Sequence, residues 1–169
     1  MPDPGVTLRE EVPGDATAIR SLVTEAFRGA AHASGTEAQI VDGLRAAGAL
    51  SLSLVAEGDA GILGHVAASP VGIGDAPGWF GIGPLAVRPD RQSRGIGAAL
   101  MQAALARLRA VGARGAVLVG EPAYYARFGF APDLGLTVRG IPADYVLALP
   151  FAEPARGEVR HHPAFGLEG

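Results

Sequence analysis

Residues 84–101 decide how this chain folds, and they read PLAVRPDRQSRGIGAALM. The apolar beginning predicts the end of a strand at Val87. The apolar residues that follow the loop recur at helical spacing and predict a helix over Gly97–Val111. Between the two lies a short basic loop with glycines at 95 and 97. Because glycine permits tight turns and close approach to the backbone, the segment predicts a strand–turn–helix connection.

This connection has the properties of an anion site. N–H groups without intrahelical partners and the positive end of the helix dipole favour a phosphate at the start of a helix. Arg91 and Arg94 add positive charge beside it. The residues alone leave two interpretations open: a cradle for a pyrophosphate, or a glycine-rich turn that binds nothing.

The strand before the loop, expected over Trp79–Val87, contains Gly81, Gly83 and Pro84. Proline donates no hydrogen bond to a neighbouring strand, so we expect a bulge or an opening of the sheet at this point. The free backbone groups of residues 85–87 could then pair with an extended ligand. A bent edge strand is the alternative interpretation.

A third motif, YYARFGF, occupies residues 124–130. Tyr124 and Phe128 lie one helical turn apart, and Gly129 ends the helix before Phe130. Adjacent tyrosines point in different directions, so one could pack while the other offers its hydroxyl to a cleft. The alternative is that both rings only pack.

Composition excludes several classes of protein. The 169 residues fit one domain, and 49% hydrophobic residues against 18% charged residues argue against disorder. The absence of cysteine excludes disulfides, thiolate zinc sites and iron–sulfur clusters, and the absence of lysine excludes P-loop NTPases and Schiff-base enzymes. The net charge of −3 does not favour nucleic acid.

No membrane or export segment is expected. The apolar stretch Ala60–Gly74 is too short and too interrupted to cross a bilayer, and Met1–Pro4 lacks a signal pattern. We therefore expect a cytoplasmic protein, monomeric or homodimeric.

Strands and helices alternate along the chain and predict an α/β domain over residues 5–150, with a tail at residues 151–169 packed on or near it. Asp15 is placed to cap the first helix. The expected helices are Ala16–Phe27, Thr36–Ala47, Gly97–Val111 and Pro122–Phe128. The expected strands are Val6–Val12, Leu50–Glu57, Ile62–Ser69, Trp79–Val87, Ala116–Val119, Phe130–Val138 and Tyr145–Leu149.

Together these features resemble the GNAT superfamily of acetyl-CoA-dependent N-acetyltransferases. The family's coenzyme loop, Q/R-x-x-G-x-G/A, matches Gln92–Gly97, and its Tyr-x-x-x-Gly-Phe motif matches Tyr125–Phe130. The resemblance covers about Val6 to Leu149 in the order of elements. It implies a mixed, mostly antiparallel sheet of about seven strands, splayed at its centre and flanked by helices on both faces.

The resemblance also implies roles for particular residues. The coenzyme's pyrophosphate would lie on the N–H groups of Gln92, Ser93, Arg94, Gly95, Ile96, Gly97 and Ala98. Its pantetheine arm would pair with Leu85, Ala86 and Val87. Tyr125 would be the general acid that protonates the departing thiolate, and the acetyl group would pass directly to a primary amine of a small molecule or a peptide.

Two points depart from a complete match. Many members of the family carry Asn at the position of Leu118, so any role of that amide is in doubt here. No base is assigned: Glu37, Glu121, His65 and Asp75 are candidates, and a bound water is an alternative. A carboxylate at a helix start and a sheet histidine have ordinary structural explanations for Glu37 and His65.

Other functions fit less well. GIGPLA at residues 81–86 imitates a dinucleotide-binding motif but no helix follows it. The adjacent His161 and His162 point apart on a strand, so no metal is expected. A non-catalytic acyl-CoA-binding sensor or interaction module is the main alternative to the enzyme, and a nucleotide-binding regulator is a weaker one.

Overall fold

A computed structural model describes residues 5–29 and 35–166. The segment Met1–Pro4, residues 30–34 and the last three residues of the expected tail lie outside the described residues. The helices are α1 (Ala16–Phe27), α2 (Glu37–Ala46), α3 (Ile96–Ala110) and α4 (Pro122–Tyr125). The strands are β1 (Thr7–Glu10), β2 (Leu52–Gly58), β3 (Gly61–Pro70), β4 (Gly72–Ile73), β5 (Trp79–Val87), β6 (Gly115–Val119), β7 (Leu136–Thr137), β8 (Val146–Pro150) and β9 (Gly157–Arg160).

The main sheet is mixed and mostly antiparallel, as the family resemblance implies. Its strand order is β1-β2-β3-β5-β6-β8, so it has six strands rather than about seven. The pairs β1–β2, β2–β3 and β6–β8 are antiparallel, whereas β5–β6 is parallel. A second sheet of three strands has the order β4-β9-β7.

The chain divides into two compact units. The first comprises the described residues up to Ala68 together with Gly83–Ala104. The second comprises Ser69–Ile82 and the described residues from Leu105 onward. Strand β5 and helix α3 each contribute residues to both units.

In the first unit, helices cover both faces of the strands. Helices α1 and α2 bury an apolar stripe, and the resulting cluster includes Val55 of β2 and Ala86 of β5. Val55 is paired with His65 on β3, so His65 is on the same face. Gly64, the neighbouring residue on β3, faces the opposite side, where α3 packs. The buried residues of α1 and α2 in this cluster are Ile19, Leu22, Val23 and Val41.

Asp15 lies at the start of α1 but does not cap it as predicted, because its side chain makes no hydrogen bond to that helix. Instead its carboxylate accepts the N–H of Val12 at 2.7 Å and forms an ion pair with Arg9 at 2.7 Å. Arg9 also bonds Glu57 on the paired strand β2. The hydrogen bond from Arg9 holds the pKa of Asp15 below its ordinary value. The aspartate therefore fastens the short turn before α1 to β1.

The second unit contains the β4-β9-β7 sheet and its own core. Trp79 and Val117 of the main sheet lie in one cluster with residues of all three small strands: Ile73, Leu136 and Val159. Two predictions need correction here. The predicted strand Phe130–Val138 is a strand only at Leu136–Thr137, and the segment expected as a tail contains β9 and a 3-10 helix at Pro163–Phe165.

The described residues include no helix that is both long and apolar enough to cross a membrane.

Replacing Gly64 should destabilise the first unit. A Cβ on Gly64 would lie 2.9 Å from Leu100 Cδ1, 3.0 Å from Ile96 Cγ2 and 3.3 Å from the backbone oxygen of Ala86. We expect Gly64→Ala to lower the free energy of unfolding by about 1–3 kcal/mol because the packed side chains must shift. Urea denaturation measures the change. Gly14→Ala is the control, since a Cβ there meets nothing within 4 Å. Equal stability of the two variants would contradict the proposed contact.

Candidate active site

The glycine-rich loop is tied back to the strand that it follows. Strand β5 ends at Val87, and α3 begins at Ile96. The N–H of Arg88 donates to the oxygen of Leu63 on β3 at 2.8 Å. The side-chain amide of Gln92 donates to the oxygen of Val87 at 3.1 Å. The Gln92 side chain therefore stabilises the turn. The predicted contact of Gln92 with the coenzyme is made by its backbone N–H.

Two residues of the loop have left-handed backbone conformations. Ser93 has φ of 64° and Gly95 has φ of 84°. This region is costly for residues with a Cβ and nearly free for glycine. The glycine at 95 is therefore explained by the turn itself, immediately before α3.

The start of α3 presents N–H groups in a positive environment. The N–H of Ala99 donates to Gly95 O at 3.0 Å, and the first N–H groups of an α-helix have no acceptor within the helix. The first turn contains no acidic residue. Arg91 and Arg94 precede it in the same loop. Because no carboxylate in the first turn competes for these donors, the helix start is suited to an anion.

The ten residues predicted to hold the coenzyme lie in the first unit and differ in exposure. Ile96 and Ala86 are buried and anchor the two ends of the segment in the core. The loop residues between them are the accessible ones. Gln92, Ser93 and Arg94 are exposed, and Leu85, Val87, Gly95, Gly97 and Ala98 are half-buried.

Tyr125 lies in the second unit, at the end of α4. Its ring contacts Tyr124 edge to face, with centroids 4.9 Å apart, and Phe130 at 6.3 Å. Burial, and to a lesser degree the neighbouring Tyr124, raises the pKa of Tyr125 to about 12. The hydroxyl is therefore fully protonated at neutral pH and is available as a donor.

The turn before Tyr125 requires glycine at 120. A Cβ on Gly120 would overlap the ring of Tyr125. The N–H of Gly120 donates to Tyr145 O at 3.0 Å, and Pro122 occupies the first turn of α4. Leu118, which replaces the asparagine of many family members, is 2% exposed and is paired with Leu147. Leu118 is thus a core residue in this chain.

The carboxylates considered as bases have different surroundings. Glu37 is half-buried in the first turn of α2, where its Oε1 accepts the N–H of Gly35 at 3.1 Å. Glu121 is exposed, and its backbone oxygen accepts the N–H groups of Tyr124 and Tyr125. Asp75 is exposed after β4. Each position has a structural role or an open surface around it, and none is singled out as a base.

His65 is fully buried and belongs to a polar chain inside the first unit. Its Nε2 lies 2.7 Å from the hydroxyl of Ser53, which also bonds a carboxylate oxygen of Glu11. Arg45 binds both oxygens of Glu11 at 2.9 Å. Partial burial opposes ionisation of Glu11, but the bonds from Arg45 and Ser53 outweigh it and lower its pKa.

The direction of each hydrogen bond follows from the charge on Glu11. An ionised carboxylate only accepts, so Ser53 donates to Glu11 and His65 Nε2–H donates to Ser53. Burial lowers the pKa of His65 to about 4. The imidazole is therefore neutral at physiological pH, with its proton on Nε2. Held in this way, His65 is a structural link between β2 and β3.

The sequence pattern singles out His161 only as a possible metal ligand. It is 8% exposed and packs against Phe165, with ring centroids 5.0 Å apart. Burial lowers its pKa. Within the part of the chain that the structure describes, no group of three His, Asp or Glu side chains could hold a metal ion.

Comparison with known proteins identifies relatives. A sequence model described as acetyltransferase (GNAT) domain matches residues 50–132. The uncharacterized N-acetyltransferase YhbS of Escherichia coli K12 is 39% identical over 125 residues, which are 73% of this chain and 72% of YhbS.

Two solved structures are similar along nearly the whole chain. A GNAT family acetyltransferase of Brucella melitensis, solved with acetyl-CoA, is 47% identical with a TM-score of 0.85 and covers 95% of this chain and 97% of its own. YhbS of Escherichia coli, solved with CoA, is 32% identical with a TM-score of 0.88 and covers 98% of this chain and 94% of its own.

The burial of His65 should make stability depend on pH. Its pKa is about 4 in the folded protein and 6.5 when unperturbed. Because the unfolded chain binds the proton more readily, acidification from pH 6.5 to pH 4 should cost up to about 3 kcal/mol of stability through this residue. We expect His65→Gln to flatten the dependence over that window, since Gln does not titrate and retains an N–H donor. Urea denaturation at a series of pH values measures it, and parallel curves for the two proteins would contradict the assignment.

Proposed function

The chain belongs to the GNAT acetyltransferase family, and from that premise we propose that it transfers the acetyl group of acetyl-CoA directly to a primary amine. One observation carries the proposal: the Gln92–Gly97 loop, with its left-handed Ser93 and Gly95, leads into a helix start without an acidic residue. The 47% identical protein of Brucella melitensis was solved with acetyl-CoA, which supports the same coenzyme here.

The coenzyme's pyrophosphate is bound by the backbone N–H groups of Gln92–Ala98. These groups include the first turn of α3, where the helix dipole favours negative charge. Arg91 and Arg94 supply further positive charge at this end of the helix. The side chain of Gln92 already bonds Val87 O, so the loop is preorganised before the coenzyme arrives.

The pantetheine arm pairs with the backbone of Leu85, Ala86 and Val87. Strand β5 contains Gly83 and Pro84, and proline cannot donate to a neighbouring strand. An extended amide chain such as pantetheine can use the backbone groups that a strand neighbour leaves free. A backbone N–H near Val87 would then polarise the thioester carbonyl as negative charge develops on its oxygen.

Tyr125 acts on the leaving sulfur. The pKa of about 12 keeps its hydroxyl protonated, whereas an ordinary thiol has a pKa of about 8.5. Proton transfer to a free thiolate is therefore unfavourable by itself. The hydroxyl stabilises the sulfur by a hydrogen bond as the C–S bond breaks and supplies the proton as the thiolate leaves.

The acceptor is a small-molecule amine or a peptide amine. Direct attack on the thioester agrees with the absence of cysteine, since no side-chain thiol is present to carry the acetyl group. Release of free CoA with each member of a panel of primary amines identifies the acceptor. An acyl-CoA-binding module without activity would bind the coenzyme and release none.

Isothermal titration calorimetry with acetyl-CoA tests the proposed function, and ADP and NAD are the control ligands. The same titration is made with the variant Gly95→Glu. We expect the native protein to bind acetyl-CoA selectively in the micromolar range, about −8 kcal/mol. The glutamate should abolish binding because it places a side chain and a negative charge in the phosphate site.

Gly112→Glu is the matched control for this variant. Gly112 has φ of 82°, close to the 84° of Gly95, and a Cβ there meets nothing within 4 Å. It therefore introduces the same charge with similar backbone strain. Equal affinity of the two variants would place the phosphate site elsewhere, and selective binding of ADP would favour a nucleotide-binding regulator.

Tyr125→Phe should lower turnover and leave the affinity for acetyl-CoA nearly unchanged, because only the hydroxyl is removed. Loss of a general acid typically costs about 100-fold or more. Tyr124→Phe is the control, since it removes the neighbouring hydroxyl and keeps both rings. Release of CoA thiol measures turnover. Wild-type turnover in Tyr125→Phe would show that the hydroxyl has no role as an acid.

A further inference from the structure

The motif YYARFGF at residues 124–130 contains an exposed arginine, Arg127, to which the proposed function assigns no task. The proposed acid is Tyr125, and its hydroxyl needs a fixed position in order to protonate the leaving sulfur. In this respect the inference rests on the proposed function. It uses only contacts within the second unit, which contains the whole motif.

The ring of Tyr125 is enclosed on several sides. Gly120 lies against it, since a Cβ there would overlap the ring. Phe128 and Phe130 each have a ring centroid 6.3 Å from that of Tyr125. Tyr124 contacts the ring more closely, edge to face, with centroids 4.9 Å apart. The orientation of Tyr125 therefore depends on where the ring of Tyr124 lies.

These neighbours are not equally well fixed. Phe130 is 2% exposed and belongs to the core, whereas Tyr124 is half-buried. Tyr124 lies on α4, a helix of four residues, which is too short to be stable by itself. Its ring contacts that of Phe128, with centroids 5.7 Å apart. To keep one orientation, this half-buried ring needs support from its open side as well.

Arg127 supplies two further contacts to Tyr124. Its Nε–H donates to the backbone oxygen of Tyr124 at 2.8 Å. Its guanidinium lies over the ring of the same residue, with Cζ 4.3 Å from the centroid. A planar guanidinium can donate a hydrogen bond and stack on a ring at once, whereas the ammonium of lysine has no plane to stack. One side chain therefore fixes the backbone and the ring of Tyr124 together.

We propose that Arg127 is a positioning residue for the acetyl transfer. It holds the ring of Tyr124 against Tyr125, and the hydroxyl of Tyr125 is thereby kept in one place. Arg127 takes no part in the proton transfer itself. Removal of the guanidinium leaves the acid present but free to turn.

Nitration of tyrosine tests the position of the ring without a known acceptor. Tetranitromethane nitrates phenolates that solvent reaches, and burial raises the pKa of Tyr125 to about 12. We expect Arg127→Ala to increase the nitration of Tyr125 several-fold relative to that of Tyr145, as measured by tandem mass spectrometry of the peptides. Tyr145 is the internal reference because it lies outside the motif, and general unfolding would raise the nitration of both. An unchanged ratio would overturn the proposal.

Arg127→Lys repeats this test in a variant that keeps the positive charge. Because lysine cannot stack a planar group on Tyr124, we expect the nitration ratio to rise here as well, but less than in Arg127→Ala. A ratio equal to that of the native protein would show that charge alone is needed and would overturn the proposal.

Arg109→Ala is the matched control for these variants. The Cζ of Arg109 lies 4.2 Å from the centroid of Phe151, and Arg109 is exposed, as Arg127 is. The control therefore removes the same kind of contact from the same unit, at a ring outside the motif. We expect it to keep the native nitration ratio. An equal increase in Arg109→Ala would show a general loosening of the unit and would overturn the proposal.

Turnover of acetyl-CoA shows whether Arg127 acts through Tyr125. We expect Arg127→Ala to lower turnover by about 10-fold to 100-fold, with an unchanged affinity for acetyl-CoA by calorimetry. In the Tyr125→Phe background the same change should lower turnover no further, because the hydroxyl that it positions is absent. Release of CoA with the best amine of the panel measures turnover, and hydrolysis of acetyl-CoA is measured if no amine reacts. An equal loss in both backgrounds would overturn the proposal.

Failure of the proposed function has a different signature. A native protein that does not bind acetyl-CoA, or wild-type turnover in Tyr125→Phe, would overturn the proposed role of the site. A nitration ratio that Arg127→Ala leaves unchanged would instead overturn the positioning of Tyr125 by Arg127.

Discussion

Helix α3 reaches strand β3 only because residue 64 has no side chain. Leu100 and Ile96 of the helix occupy the space that a Cβ would need, and the backbone oxygen of Ala86 closes it from the strand side. This contact fixes the start of α3 near the end of β5. The loop between them contains the left-handed Gly95 and the hydrogen bond from the Gln92 side chain to Val87 O. The proposed anion site therefore depends on a packing contact that binds no ligand.

The protein keeps its titratable groups in three different environments, and each suits a different task. In the first unit, Glu11 and Arg45 are paired and hold Ser53 and a neutral His65 in the core. At the start of α3, carboxylates are absent from the first turn. In the second unit, His161 is buried against Phe165, Tyr125 is half-buried among aromatic rings, and the pKa values of both are shifted. Hydrogen bonds lower the pKa of Glu11, whereas burial raises the pKa of Tyr125 and lowers that of His161.

Local signals explain which parts of the fold could be predicted. The bounds of α1 and β5 agree with the prediction because apolar periodicity and turn residues mark both ends. The predicted strand over Phe130–Val138 was mostly wrong, since apolar residues there pack into a core without a long ladder. Strand β9 was not predicted from the sequence. It is short, and it exists through pairing with β4 and β7, which come from other parts of the chain.

The sequence by itself determined the loop of residues 92–97, the family resemblance and the chemistry that the missing lysine and cysteine exclude. These depend on residue types at fixed spacing, and neighbours in the chain are enough to define them. Only the tertiary structure decided that Leu118 and His65 are core residues and that His161 lies on Gly81. Burial and contacts between distant segments set the pKa and accessibility of a side chain. No local pattern around His161 reveals that it rests on β5.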